Sequence, residues 1–150
     1  MPERATRDMD VIVAAEDIAV ARELLSNAGW QCTGDLTIGG TSWQSPDGKA
    51  LDVLEGHSSW WPQAIAEAQT NLDTQGLPIL PLPYLVLMKF QSGRTVDIGD
   101  ITRILGQADA AALDATRQLF QRHETEGLED LESLILLGRL EMDESEQASL

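Results

Sequence analysis

The sequence predicts an α+β domain, with strands concentrated in its first third and helices running from its middle to its end. Three observations carry that expectation. Val11, Ile12 and Val13 form a β-branched run behind Asp8-Met9-Asp10, and β-branched side chains favour strands. Two turn signals, Gly34-Asp35 and Ser45-Pro46-Asp47-Gly48, bracket further short strand-like runs. From Pro83 onward the apolar residues recur at helical spacing.

Taken in order, the opening strand is led by Asp8 and Asp10. Residues 16–28 place Ile18, Ala21, Leu24, Leu25 and Ala28 at helical spacing, and Gly29 stops that helix. A short strand over 30–33 ends at the Gly34-Asp35 turn, and residues 37–44 form another, interrupted by Gly39-Gly40. After the Ser45–Gly48 turn, residues 49–54 make a strand with Asp52 inside it. A short helix over 60–69 carries Pro62 in its first turn. Residues 77–81 must be extended because prolines fix them so.

The helix over 84–91 is apolar nearly all round and belongs in the core; Lys89 is its one charged residue and Gly93 lies near its end. Residues 97–106 put Ile98, Ile101, Ile104 and Leu105 on one side. Asp109 is placed to cap a helix reaching His123, and Leu131, Leu134, Ile135 and Leu137 define another over 128–140. Residues 1–140 are therefore expected to form one domain, with 141–150 an acidic, frayed tail.

Composition narrows the function. With 43% hydrophobic and 23% charged residues the chain has a globular balance. A formal charge of -15, with ten scattered Lys and Arg, excludes a general nucleic-acid surface. The acidity suits solubility, attraction for divalent cations, or docking to a basic protein partner. Cys32 is the only cysteine, so no internal disulfide forms; a small buried residue in a reducing compartment is expected. No apolar run reaches the ~20 residues of a membrane span and the start lacks a signal core, which gives a cytoplasmic expectation.

The chemistry centres on carboxylates. Strand alternation puts Asp8 and Asp10 on one face, roughly 7 Å apart. Two such groups stay ionised side by side only with positive charge between them, supplied by arginines such as Arg4 and Arg7 or by a bound cation. Asp52 sits mid-strand between Leu51 and Val53, where burial disfavours it. If the two strands are neighbours, three acids converge, and such oxygen-rich clusters hold Mg²⁺ or Mn²⁺. Two such ions can clamp a nucleoside triphosphate for in-line transfer. His57, Trp60 and Trp61 are secondary candidates: a loop histidine near the site, and a tryptophan pair of which one is buried and one half-exposed in packing.

The segment Arg4-Ala5-Thr6-Arg7-Asp8-Met9-Asp10-Val11-Ile12-Val13 resembles the R-x-T-x-D-x-D strand of the nucleotidyltransferase superfamily typified by DNA polymerase beta, especially small bacterial members of abortive-infection and toxin-antitoxin systems. Residues 85–101, with Lys89, Arg94, Asp97 and Asp100, resemble the L-x-x-x-K-x-x-x-x-R-x-x-D-x-x-D helix pair of the same proteins. With Asp52 the resemblance spans about residues 4–105. It implies a mixed sheet packed on helices, with Asp8, Asp10 and Asp52 as metal-binding and catalytic acids and Lys89 reaching nucleotide phosphates. It also implies that Asp97 and Asp100 support the site or position Lys89; capping of a helix N-terminus is the other role open to them.

Members of that superfamily carry a Gly-Gly or Gly-Ser turn ahead of the Asp-x-Asp strand, and only seven residues precede Asp8 here. Two expectations follow. One is a Mg²⁺-dependent transferase moving a nucleotidyl group from a triphosphate to an acceptor, with Arg4 and Arg7 taking over phosphate contacts. The other is a degenerate, inactive version kept as a binding or regulatory protein, with a protein partner or a second copy.

Overall fold

The computed structural model describes residues 8–149, with side chains from Met9 onward. The described residues contain one four-stranded mixed sheet and six α-helices, in two compact units, Met1–Ala66 and Glu67–Leu150. The sequence had suggested one domain over 1–140.

In the first unit the strands are β1 (Asp8–Val13), β2 (Gln31–Asp35), β3 (Gly40–Gln44) and β4 (Ala50–Glu55), in the spatial order β1-β4-β3-β2. β1 lies parallel to β4, while β4 with β3 and β3 with β2 are antiparallel. The parallel pair needs a crossover between its members. That crossover contains α1 (Ile18–Asn27) and the β2–β3 hairpin. Trp43, Leu51 and Val53 form the buried core of this unit, with Val11, Val13, Leu25 and Trp30 packed against it. The register pairs Val11 with Val53 and Thr41 with Val53, so these residues share one sheet face with Leu51 and Trp43, and Thr41 is its buried polar member.

Two turns set that register. Ser45 and Lys49 close the β3–β4 turn: Ser45 N–H donates to Lys49 O at 2.8 Å, and Ser45 Oγ accepts from Lys49 N–H at 2.8 Å. Gly39 and Gly40 do not interrupt a strand, as the sequence suggested, but end the β2–β3 turn with β3 beginning at Gly40. Gly40 has φ +121°, and a Cβ there would lie 2.0 Å from Val53 O, so no other residue fits without moving β4. Gly34 and Asp35, expected as a turn, are inside β2, where the register shifts between Cys32 and Gly34. Cys32 is exposed, not buried, because β2 is an edge strand.

α2 (Trp61–Ala68) spans the division between the units. In the second unit, Asp73 Oδ1 accepts from Gln75 N–H and Leu77 N–H at 2.8 and 2.9 Å, shaping the extended loop before α3 (Leu82–Ser92). α3 ends at Gly93 in the left-handed conformation, φ +66°. α4 (Thr95–Gln107), α5 (Ala110–His123) and α6 (Leu128–Ala148) follow. Asp109 caps α5 as the sequence indicated, accepting from Ala112 N–H at 2.8 Å. Leu87, Ile101, Leu105, Leu113, Phe120 and Leu131 form its core. The sequence ends the last helix at 140 and lets the tail fray, whereas α6 continues to Ala148. Ser145 Oγ and Ser149 Oγ donate back along the helix to Glu141 O and Ser145 O.

Candidate active site

The parallel pairing of β1 and β4 puts Asp10 directly opposite Asp52. Neighbouring strands lie ~4.8 Å apart, and residues in register project to the same face. Asp10 and Asp52 are therefore side by side on the face opposite Val11, Val53 and Trp43. β3 adds Ser42, in register with Asp52. Ser42 Oγ donates to Asp52 Oδ1 at 2.6 Å, a charge-assisted bond that fixes the carboxylate's rotamer. Asp10 is exposed and Asp52 half-buried. An aspartate inside β4 is tolerated because the strand's alternation turns it away from the core.

The backbone of Asp8 lies opposite Ala50, and its side chain, like Arg4 and Arg7, falls outside the described residues. Among the described residues no group of three or more His, Cys, Asp or Glu side chains stands in metal-holding proximity. The expected acidic trio is thus represented by Asp10 and Asp52. Their carboxylates and the Ser42 hydroxyl are all oxygen donors, the ligand chemistry that suits Mg²⁺ or Mn²⁺.

Just beyond β4, His57 is exposed in a loop. Trp60 and Trp61 are both buried, at 4% and 6% exposure, with ring centroids 5.3 Å apart. The expected half-exposed tryptophan is absent because Trp61 Nε1 donates inward to Val13 O at 2.9 Å.

In the second unit, Lys89, Arg94, Asp97 and Asp100 form one ionic network. Asp97, 2% exposed, receives Arg94 Nε at 2.7 Å and Nη2 at 3.3 Å, accepts from Ser92 Oγ, and lies 3.5 Å from Lys89 Nζ. Asp100 lies 3.3 Å from Lys89 Nζ and 3.7 Å from Arg103. Burial acts to raise the Asp97 carboxyl. The hydrogen bonds from Arg94 and Ser92 and the charges of Arg94 and Lys89 outweigh it and hold the group below its ordinary value. Neither aspartate caps α4: Arg94 occupies that position, without a side-chain cap bond. Both instead flank Lys89 within their own unit. Sequence spacing flagged these residues but not the hub role of Asp97, which depends on α3 meeting α4 across the Gly93 turn. Ser42 was missed, since only strand register reveals its contact with Asp52.

Neither a protein-family model nor a curated protein matches the chain. Among solved structures, the chain is similar to the antibiotic-resistance factor ANT(2'')-Ia, whose solution structure reveals substrate-regulated conformation dynamics. The alignment has a TM-score of 0.43 and 17% identity, and covers 99% of this chain and 78% of that one. At that distance it carries no conclusion about activity. No helix among the described residues is long and apolar enough to cross a membrane.

Proposed function

We propose that the chain is a Mg²⁺-dependent nucleotidyltransferase, moving a nucleotidyl group from a nucleoside triphosphate to an acceptor hydroxyl. The observation that supports it most is the in-register pairing of Asp10 with Asp52 on adjacent parallel strands, away from the core face. Carboxylates in register on adjacent strands are placed to share one cation, which would offset their mutual repulsion. Asp8, Asp10 and Asp52 would hold that cation, which supplies neutralisation of the triphosphate's charge. Asp52, oriented by Ser42, accepts the acceptor hydroxyl's proton. The acceptor oxygen then bonds to the α-phosphorus as the bond to the leaving pyrophosphate breaks. Arg4 and Arg7 would take the phosphate contacts that the superfamily's missing turn makes.

Incubation with Mg²⁺ and α-labelled triphosphates, in the presence of candidate small-molecule, protein and RNA acceptors, tests this. Labelling should fall by about 10²-fold or more in Asp10→Asn and Asp52→Asn. Labelling unchanged in both variants would refute the assignment.

A second reading, a degenerate fold kept for binding or regulation, has its own support in Lys89. Its ammonium already faces two carboxylates, Asp97 and Asp100, at 3.5 and 3.3 Å. Tight Mg²⁺-nucleotide binding by the isolated chain would sink that reading. Co-purification of a basic protein partner together with absence of nucleotide binding would favour it.

A further inference from the structure

β1 and β4 end level with one another, Val13 opposite Glu55. Beyond them the chain diverges into two loops, and the first turn of α2 closes the space between. The result is a cleft of 310 Å³ in the first unit, lined by Ala14, Ala15, Glu16, His57, Ser58, Trp61, Pro62 and Ile65 around Gly56. The carboxyl ends of adjacent parallel strands are where diverging loops commonly leave a ligand crevice. The volume sits at the lower end of small-molecule sites, ~300–1,000 Å³.

This cleft has a fixed wall. Trp61 is anchored by its bond from Nε1 to Val13 O. Gly56 admits the indole against the backbone: a Cβ there would come within 2.2 Å of the ring. Ala14, Ala15, Pro62 and Ile65 make most of the remaining surface apolar. The polar groups are Glu16, His57 and Ser58, and among the described residues no lysine or arginine lines the cleft. A phosphate or carboxylate therefore meets an acid and no fixed cation. A cation gains from both Glu16 and an indole face.

We propose that this cleft binds a small organic monocation, an amine with an apolar or aromatic body: the body lies against Trp61, Pro62 and Ile65, and the ammonium is paired with Glu16. The site stands independently of nucleotidyl transfer, since it uses neither Asp10 nor Asp52.

Phenethylamine and phenylacetate, which share a ring and differ in the sign of their charge, are the probes, titrated by isothermal calorimetry into the whole chain. Phenethylamine should bind about fivefold or more tightly than phenylacetate, the scale of an exposed ion pair plus the removal of a repulsion. Glu16→Gln, an exposed position whose folding is checked by circular dichroism, should abolish that preference while leaving residual binding of the ring. Ala15→Phe, which fills the cleft from its exposed rim, should remove binding of both. Equal binding of the two probes, a preference that survives Glu16→Gln, binding that survives Ala15→Phe, or no saturable binding of phenethylamine would each overturn the proposal. Triphosphate labelling measured in the same variants should be unaltered, so failure here leaves the transferase reading intact.

Discussion

Replacing Asp97 by Asn keeps the shape of the side chain and removes its charge, which isolates what the ionic hub contributes. Breaking a fully buried ion pair costs about 3–5 kcal/mol, whereas an exposed pair contributes about 0–1 kcal/mol. Asp97 is enclosed, but its partners Arg94 and Lys89 keep 59% and 23% of their side-chain surface in water. They rehydrate when the charge is lost, so the cost falls between the limits, at about 2 kcal/mol. The pH dependence has a definite sign. Because the folded Asp97 value is depressed, its contribution is present above the ordinary value of 3.8 and disappears as pH falls through the lower folded value. Urea unfolding followed by far-UV circular dichroism should therefore show the full difference between wild type and Asp97→Asn at about pH 7, and that difference should shrink progressively as pH falls below 3.8. A variant within about 0.5 kcal/mol of wild type at neutral pH, or a cost that persists undiminished in acid, would refute the reasoning.

Three further outcomes follow from the geometry. Gly138→Ala brings a Cβ to 2.2 Å from Thr102 O and 2.9 Å from Gly106 N, where α6 crosses α4; the overpacking should outweigh the gain in helix propensity and cost about 1–3 kcal/mol in urea unfolding. Tyr84, the only tyrosine, is raised to about 12 by burial and by its hydrogen bond to Glu67. Its phenolate absorbance should therefore appear only in that range in the folded chain, and stability should fall as pH climbs from about 10 towards 12, because only the unfolded phenol ionises there. Ser42→Ala removes the donor that holds Asp52 and should lower labelling by about 10-fold or more while changing the unfolding free energy by no more than about 0.5 kcal/mol.

Much of the chain could be read from local chemistry. The β-branched run after Asp10, the Ser45–Gly48 turn, the stop at Gly93 and the Asp109 cap each act within a few residues, and each stands where the sequence placed it. Features fixed by distant pairing could not be read. Asp10 faces Asp52 only because β1 joins the sheet beside β4, and Ser42 reaches Asp52 only because β3 lies on the other side. The exposure of Cys32 follows from β2 being an edge, which its own sequence does not encode. Composition misled at the C-terminus: acidic residues suggested fraying, yet helix formers such as Glu141, Met142, Glu144 and Gln147 continue α6. Asp97 looked like a helix cap by position, and its role as a buried hub depends on Arg94 and Lys89 reaching it from either side.

The most direct test of the account is Mn²⁺ binding, followed by electron paramagnetic resonance, with and without a nucleoside triphosphate. If Asp10 and Asp52 form a cation site for nucleotide chemistry, wild type should bind Mn²⁺ more tightly when nucleotide is present, and Asp10→Asn and Asp52→Asn should each lose that enhanced binding. Mn²⁺ binding that is independent of nucleotide and equal in wild type and both variants would contradict it.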